Sequence, residues 1–151
     1  MRILKSTNKW TVFFGVLTIL SMAFIFYNSM QDAVASDERS LAIVAQVKPI
    51  LDAGGRMTQK AFNDMVRAMA HLTEFAMLGV SLGGMMGSMR QWAKERLVRC
   101  VVPVVLFLAI ADEILQYFTG RYSDVKDVAL DVLGGIIGVM IVKMGIYIIR
   151  K

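Results

Sequence analysis

Long apolar runs alternate with short polar stretches along this chain, and the alternation predicts four helices that cross a membrane. The first run, Trp10 to Tyr27, is close to the ~20 residues that a spanning helix needs. Asn28-Ser29-Met30-Gln31 closes it in polar residues. Ala33-Val34-Ala35 before Ser36 has the form of a signal-peptide cleavage site, but the run exceeds the usual apolar region of about 7–15 residues, so an uncleaved span is the reading. Residues 32–64 form the longest polar segment. Within it Ser36 is a candidate cap, and Asp37 and Glu38 sit in a first turn where the helix dipole favours them. Leu41, Val44, Val47 and Leu51 recur at helical spacing. Pro49 bends or ends this piece and Gly54-Gly55 stops it. A short amphipathic helix lying at the membrane interface is predicted.

Thr58 is the predicted cap of the next helix, which enters the membrane near Met65 and runs to about Met89. At about 100° per residue, Arg67, His71, Glu74 and Leu78 fall within an arc of roughly 60°. Gly79, Gly83 and Gly87 fall on another face, where small residues allow close helix contact. The third predicted span runs from Leu97 to Phe118 and contains Asp112, Glu113 and Gln116; the fourth runs from Asp124 to Ile149. On the fourth, Asp127, Asp131, Gly134 and Gly138 share one stripe. The predicted architecture is therefore an all-α integral membrane protein with spans at about 10–29, 65–89, 97–118 and 124–149, in a single domain covering 1–151.

Composition agrees. At 56% hydrophobic residues, the chain exceeds the roughly 45–50% of ordinary soluble domains. The net charge of +5 would suit a nucleic-acid partner, but the basic residues cluster beside the apolar runs as topology signals do, and no nucleic-acid binding is expected. A lone cysteine, Cys100, leaves no intramolecular disulfide and no Cys-based zinc site. Trp10 and Trp92 stand near predicted boundaries as interfacial anchors. Arg2, Lys5 and Lys9 precede the first span; Arg90, Lys94, Arg96 and Arg99 lie between the second and third; Lys143, Arg150 and Lys151 end the chain. By the positive-inside rule both termini are cytoplasmic. In that orientation Arg67, His71 and Glu74, then Asp112, Glu113, Gln116 and Arg121, then Asp127 and Asp131 all reach the outer half of the membrane. At ~1.5 Å per residue they fit within about 15 Å of its outer surface.

These residues also carry a family resemblance. His71-Leu72-Thr73-Glu74-Phe75 with Arg67 one turn earlier, Asp112-Glu113-Ile114-Leu115-Gln116 with Gly120-Arg121, and Asp127-Val128-Ala129-Leu130-Asp131 with Gly134 and Gly138 resemble, in this order, the signature elements of the VanZ-like membrane proteins. Asn28-Ser29-Met30-Gln31 is similar to the end of that family's first span. Asp131 stands where the family pattern usually has Asn, and Ala68 where Lys is common. The resemblance implies a bacterial inner-membrane protein of a family named for low-level resistance to teicoplanin, a glycopeptide antibiotic, and it implies no settled mechanism.

Three readings of the polar cluster follow. In the first, His71, Glu74, Asp112 and Glu113 act as catalytic acids and bases on a lipid-linked cell-wall precursor, with Arg67 and Arg121 gripping its phosphate or carboxylate and Gln116, Asp127 and Asp131 completing the ligand site. In the second, the same residues bind a lipid, a glycopeptide or a partner without turnover. In the third they form an ion-pair network that only holds the helices together. Two Arg do not neutralise five carboxylates, so some carboxylates are expected to be protonated at neutral pH or matched by a metal ion, a cationic ligand or water access. His71 and Glu74 with Asp112, Glu113 or Asp127 make an N/O set suited to magnesium or manganese rather than zinc, although no metal or other cofactor is assigned from the sequence.

Overall fold

The computed structural model describes residues 8–89, 96–121 and 123–149. Arg2, Lys5, Arg90, Trp92, Lys94, Arg150 and Lys151, named above as topology signals or anchors, lie outside these. The described residues are helical with no strand: α1 Lys9–Ser29, α2 Ala33–Leu51, α3 Gln59–Ser88, α4 Leu97–Phe118 and α5 Val125–Ile149. The predicted segments therefore form as helices within a residue or two; α3 begins directly after the predicted cap Thr58, six residues before the expected membrane entry at Met65.

Local chemistry explains the ends. The Asn8 side chain accepts the N–H of Trp10, and Thr58 caps α3 by accepting the N–H of Ala61, each satisfying a donor that a helix start leaves orphaned. For α2 the expectation of a Ser36 cap is wrong. Asp32 caps it, accepting the N–H of Ala35, so α2 starts a turn earlier and Ser36 lies inside the helix. The helix is also longer than the short piece foreseen, and Pro49 sits in its last turn without ending it. Only Val44 of the four periodic apolar residues is buried; Leu41 and Leu51 are exposed. After α2, Asp52 accepts from Lys48 Nζ at 2.7 Å and from the N–H groups of Arg56 and Met57. These bonds, the Lys48 one foremost, hold its carboxyl below the usual range.

Packing centres on α3, which touches every other helix. Its partner of closest approach is α5. A Cβ on Gly134 would collide with the Leu72 carbonyl, one on Gly138 with the Ala76 carbonyl, and one on Gly79 with the Gly135 carbonyl. Only hydrogen atoms at these positions let the two backbones meet, the small-residue contact expected of helices in lipid. At one end Thr11 of α1 pairs with Ser88 of α3 at 2.7 Å; at the other, Asn28 and Ser29 of α1 reach the middle of α3 and the last turns of α4. The chain thus runs up, down, up and down through α1, α3, α4 and α5.

The distribution of polarity is inverted relative to a water-soluble bundle. Ile19 (68%), Phe107 (70%) and Ile148 (65%) are among many large apolar side chains left exposed, while Asp112, Glu113, Gln116 and Asp131 are buried. Soluble monomers rarely expose contiguous apolar surface on this scale. By length and composition α1 and α5 are candidates to cross a membrane, and the buried ionisable groups are His71 on α3, Asp112 and Glu113 on α4 and Asp131 on α5.

Candidate functional site

Four helices, α1, α3, α4 and α5, and the turn before α5 bring the polar residues together at one level. From α3, His71 and Glu74 diverge. His71 Nδ1 lies 3.0 Å from Asp131 Oδ1 on α5, a contact made possible by the glycine seam one turn further along. Glu74 turns the other way and accepts from Asn28 Nδ2 of α1 at 2.9 Å. From α4, Asp112 accepts from the Ser29 hydroxyl through Oδ1 and from Gln116 Nε2 at 2.6 Å through Oδ2. Ser29 Oγ is also 2.8 Å from the Ile25 carbonyl, with which it shares its proton. Glu113, a helical step of about 100° away, points toward the start of α5, where its Oε2 accepts from Ser123 Oγ at 2.7 Å and from the Asp124 N–H at 3.0 Å.

A cavity of about 260 Å³ opens beside this cluster. His71, Glu74, Asp112 and Gln116 line it together with Asn28 and Ser29, and three arginines, Arg39, Arg67 and Arg121, surround these acidic and amide groups. Ser36 and Ser40 of α2 complete the wall, so α2 covers one side of the cavity. Arg121 donates from Nη1 to the Asn28 carbonyl at 3.3 Å, and its Nε is buried with no partner among the described residues. Burial, and then the neighbouring charge of Arg67, lower the Arg121 guanidinium below its ordinary value. Arg67 lies 3.8 Å from Asp37, the outer limit for an ion pair and one of low value at a partly exposed position.

Of the residues singled out from the sequence, Arg67, His71, Glu74, Asp112, Gln116 and Arg121 meet around the cavity. Glu113 faces α5 instead, in a second, more apolar recess. Asp131 touches the site through His71 and is fully buried. Asp127, half-buried in the first turn of α5, makes no side-chain hydrogen bond among the described residues; its N–H donates to the Asp124 carbonyl at 2.8 Å. The expected N/O set containing Glu74 is corrected: Glu74 is held by Asn28, and the donor atoms that converge are those of His71, Asp112, Glu113 and Asp131, all within 4.8 Å of one another. Sequence reasoning left Asn28, Ser29, Arg39 and Ser123 out of the site. The signal for the first two was present, since polar residues ending an apolar helix need a partner; Arg39 and Ser123 sit in polar segments where nothing marks them.

A search of curated proteins finds no match to this chain, and neither does a search of solved structures. The VanZ/LLP1 family model, by contrast, matches residues 14–149, a stretch that spans all five helices and every residue of the cluster, and the chain belongs to that family.

Proposed function

We propose that this protein crosses the bacterial inner membrane four times, with both termini cytoplasmic, and binds the anionic headgroup of a lipid-linked envelope component in the cavity between α1, α2, α3 and α4. The observation that carries this reading is the ring of Arg39, Arg67 and Arg121 around one cavity. Guanidinium groups offer five N–H donors each and suit phosphate or carboxylate bidentately, and Arg121 Nε is an unused buried donor. α4 supports a span of its own, with apolar Phe107, Ile110 and Ile114 exposed and Asp112, Glu113 and Gln116 buried on the opposite side. At about 260 Å³ the cavity lies just below the roughly 300–1,000 Å³ of drug-sized sites. A phosphorylated headgroup fits that scale better than a whole glycopeptide, so a link to teicoplanin resistance would run through the envelope lipid.

The test is saturable binding of a polyprenyl phosphate to the purified protein in nanodiscs of zwitterionic lipid. Arg121→Ala and Arg67→Ala should each weaken it at least tenfold, the loss of about 1.4 kcal/mol or more for a charge-assisted contact. Binding no stronger than to zwitterionic lipid, or variants that both bind as tightly as the parent, refutes the proposal. A catalytic reading is favoured by one feature, the imidazole of His71 facing the cavity while Asp131 orients its other side. It requires turnover of the same lipid that His71→Ala abolishes while binding persists.

A further inference from the structure

We propose that His71, Asp112, Glu113 and Asp131 form a binding site for one divalent transition cation of the manganese(II) type, placed between α3, α4 and α5 beneath the cavity. This stands independently of what the cavity binds.

Each of the four residues offers one donor atom, and these atoms lie within 4.8 Å of one another in the buried interior. Opposite ligands of an octahedral ion with bonds of 2.0–2.1 Å are about 4.2 Å apart, so the cluster needs to contract by only about half an ångström. Convergence of acids alone would not single out a cation. The second observation is that two carboxylates of the set are left half-satisfied. Asp131 is 0% exposed and Glu113 5%, yet Asp131 Oδ2 and Glu113 Oε1 have no hydrogen-bond partner among the described residues. Buried carboxylate oxygens carry a large desolvation cost unless a donor or cation faces them. Among the described residues no donor reaches these two, although the same side chains are held at their other oxygens, by His71 and by Ser123 and Asp124.

The surroundings resemble the outer support that metal ligands need. Ser29 and Gln116 each donate to one oxygen of Asp112, fixing the carboxylate while leaving lone pairs on both. His71 Nδ1 and Asp131 Oδ1 lie 3.0 Å apart, close to the separation of neighbouring ligands on an octahedral ion with bonds of about 2.1 Å. Three carboxylates and a neutral imidazole bring a charge of −3, which a divalent ion reduces to −1, and the Arg121 guanidinium attracts Asp112 and Glu113 electrostatically. One nitrogen among oxygens favours manganese over zinc, whose sites are richer in nitrogen and sulfur, and over calcium, which takes oxygen alone.

The experiment is titration of the metal-stripped full-length protein in nanodiscs with Mn2+ alone, read by elemental analysis after desalting and by pulsed electron paramagnetic resonance. One equivalent of Mn2+ per chain is expected, with hyperfine coupling to a single imidazole nitrogen. Asp131→Asn should weaken binding at least tenfold and His71→Ala should abolish the nitrogen coupling, whereas Asp52→Asn, far from the cluster, should bind as the parent does. No stoichiometric Mn2+, bound Mn2+ without nitrogen coupling, or an Asp131→Asn protein with parental affinity overturns the proposal. Because the nitrogen coupling is measured on the unaltered chain, the test survives a variant that fails to fold.

Discussion

The seam between α3 and α5 sets the His71–Asp131 distance, and Gly134→Ala tests it directly. The added methyl would lie inside the van der Waals envelope of the Leu72 carbonyl and at 3.1 Å from the Ala76 nitrogen. Ordinary carbon–oxygen approaches between packed backbones are about 3.3–3.6 Å, so α5 must retreat by on the order of 1 Å. Backbone atoms cannot swing aside as a side-chain end would. Overpacking of this kind costs about 1–3 kcal/mol. A retreat of that size also stretches the 3.0 Å His71–Asp131 contact beyond hydrogen-bond range, and a buried bond to a charged group is worth about 1.5–3 kcal/mol. Against these stands the gain of Ala over Gly within a helix, about 0.8–1 kcal/mol. The net loss is about 1.5–5 kcal/mol. Gly145 on the same helix is the control, because a Cβ there meets nothing within 4 Å; Gly145→Ala should keep the propensity gain and be neutral or stabilised by up to about 1 kcal/mol. Equilibrium unfolding in mixed micelles, comparing both variants with the parent, measures the difference. If Gly134→Ala and Gly145→Ala agree within about 0.5 kcal/mol, the close approach of α3 and α5 is wrong, and with it the geometry of the cluster.

Two further predictions concern the segment outside the bundle. Asp52 has its folded pKa below its ordinary value of 3.8, chiefly through Lys48, so the order it gives to residues 52–57 is fully present above pH ~4 and is lost as pH falls through the lower, folded value; the protection of the Arg56 and Met57 amides, whose N–H groups it accepts, measured relative to intrinsic exchange at each pH, should fall only in that acidic window, and protection that is flat with pH would refute the link. For topology, Ala53→Cys in a Cys100→Ala background should react with an impermeant maleimide added outside intact cells, since Ala53 is exposed just past the end of α2. Labelling that appears only after the cells are opened would reverse the proposed orientation.

The sequence by itself determined the helices and the level along the bundle at which their polar residues stand. Runs such as Trp10 to Tyr27 have the length of a span, Thr58 is a cap wherever its helix goes, and the positions of His71, Asp112 and Asp131 along their helices bring them to one level. These are one-dimensional facts, settled by spacing and rise per residue. The exception among local features, the start of α2, shows the limit: Asp32 and Ser36 are equally good caps by type, and the path of the chain after Met30 chose between them. Which polar groups touch was decided only by the tertiary structure. Helical period places His71 and Glu74 on one face of α3 but does not say that α5 flanks one edge of that face and α1 the other, so that the first meets Asp131 and the second Asn28. It likewise lets Asp112 and Glu113 pass as a pair, although adjacent residues point about 100° apart and only Asp112 looks into the cavity. The reason is physical: period fixes a direction around an axis, whereas a contact needs a second axis at a set distance, and here the backbone glycines of α3 and α5 set that distance.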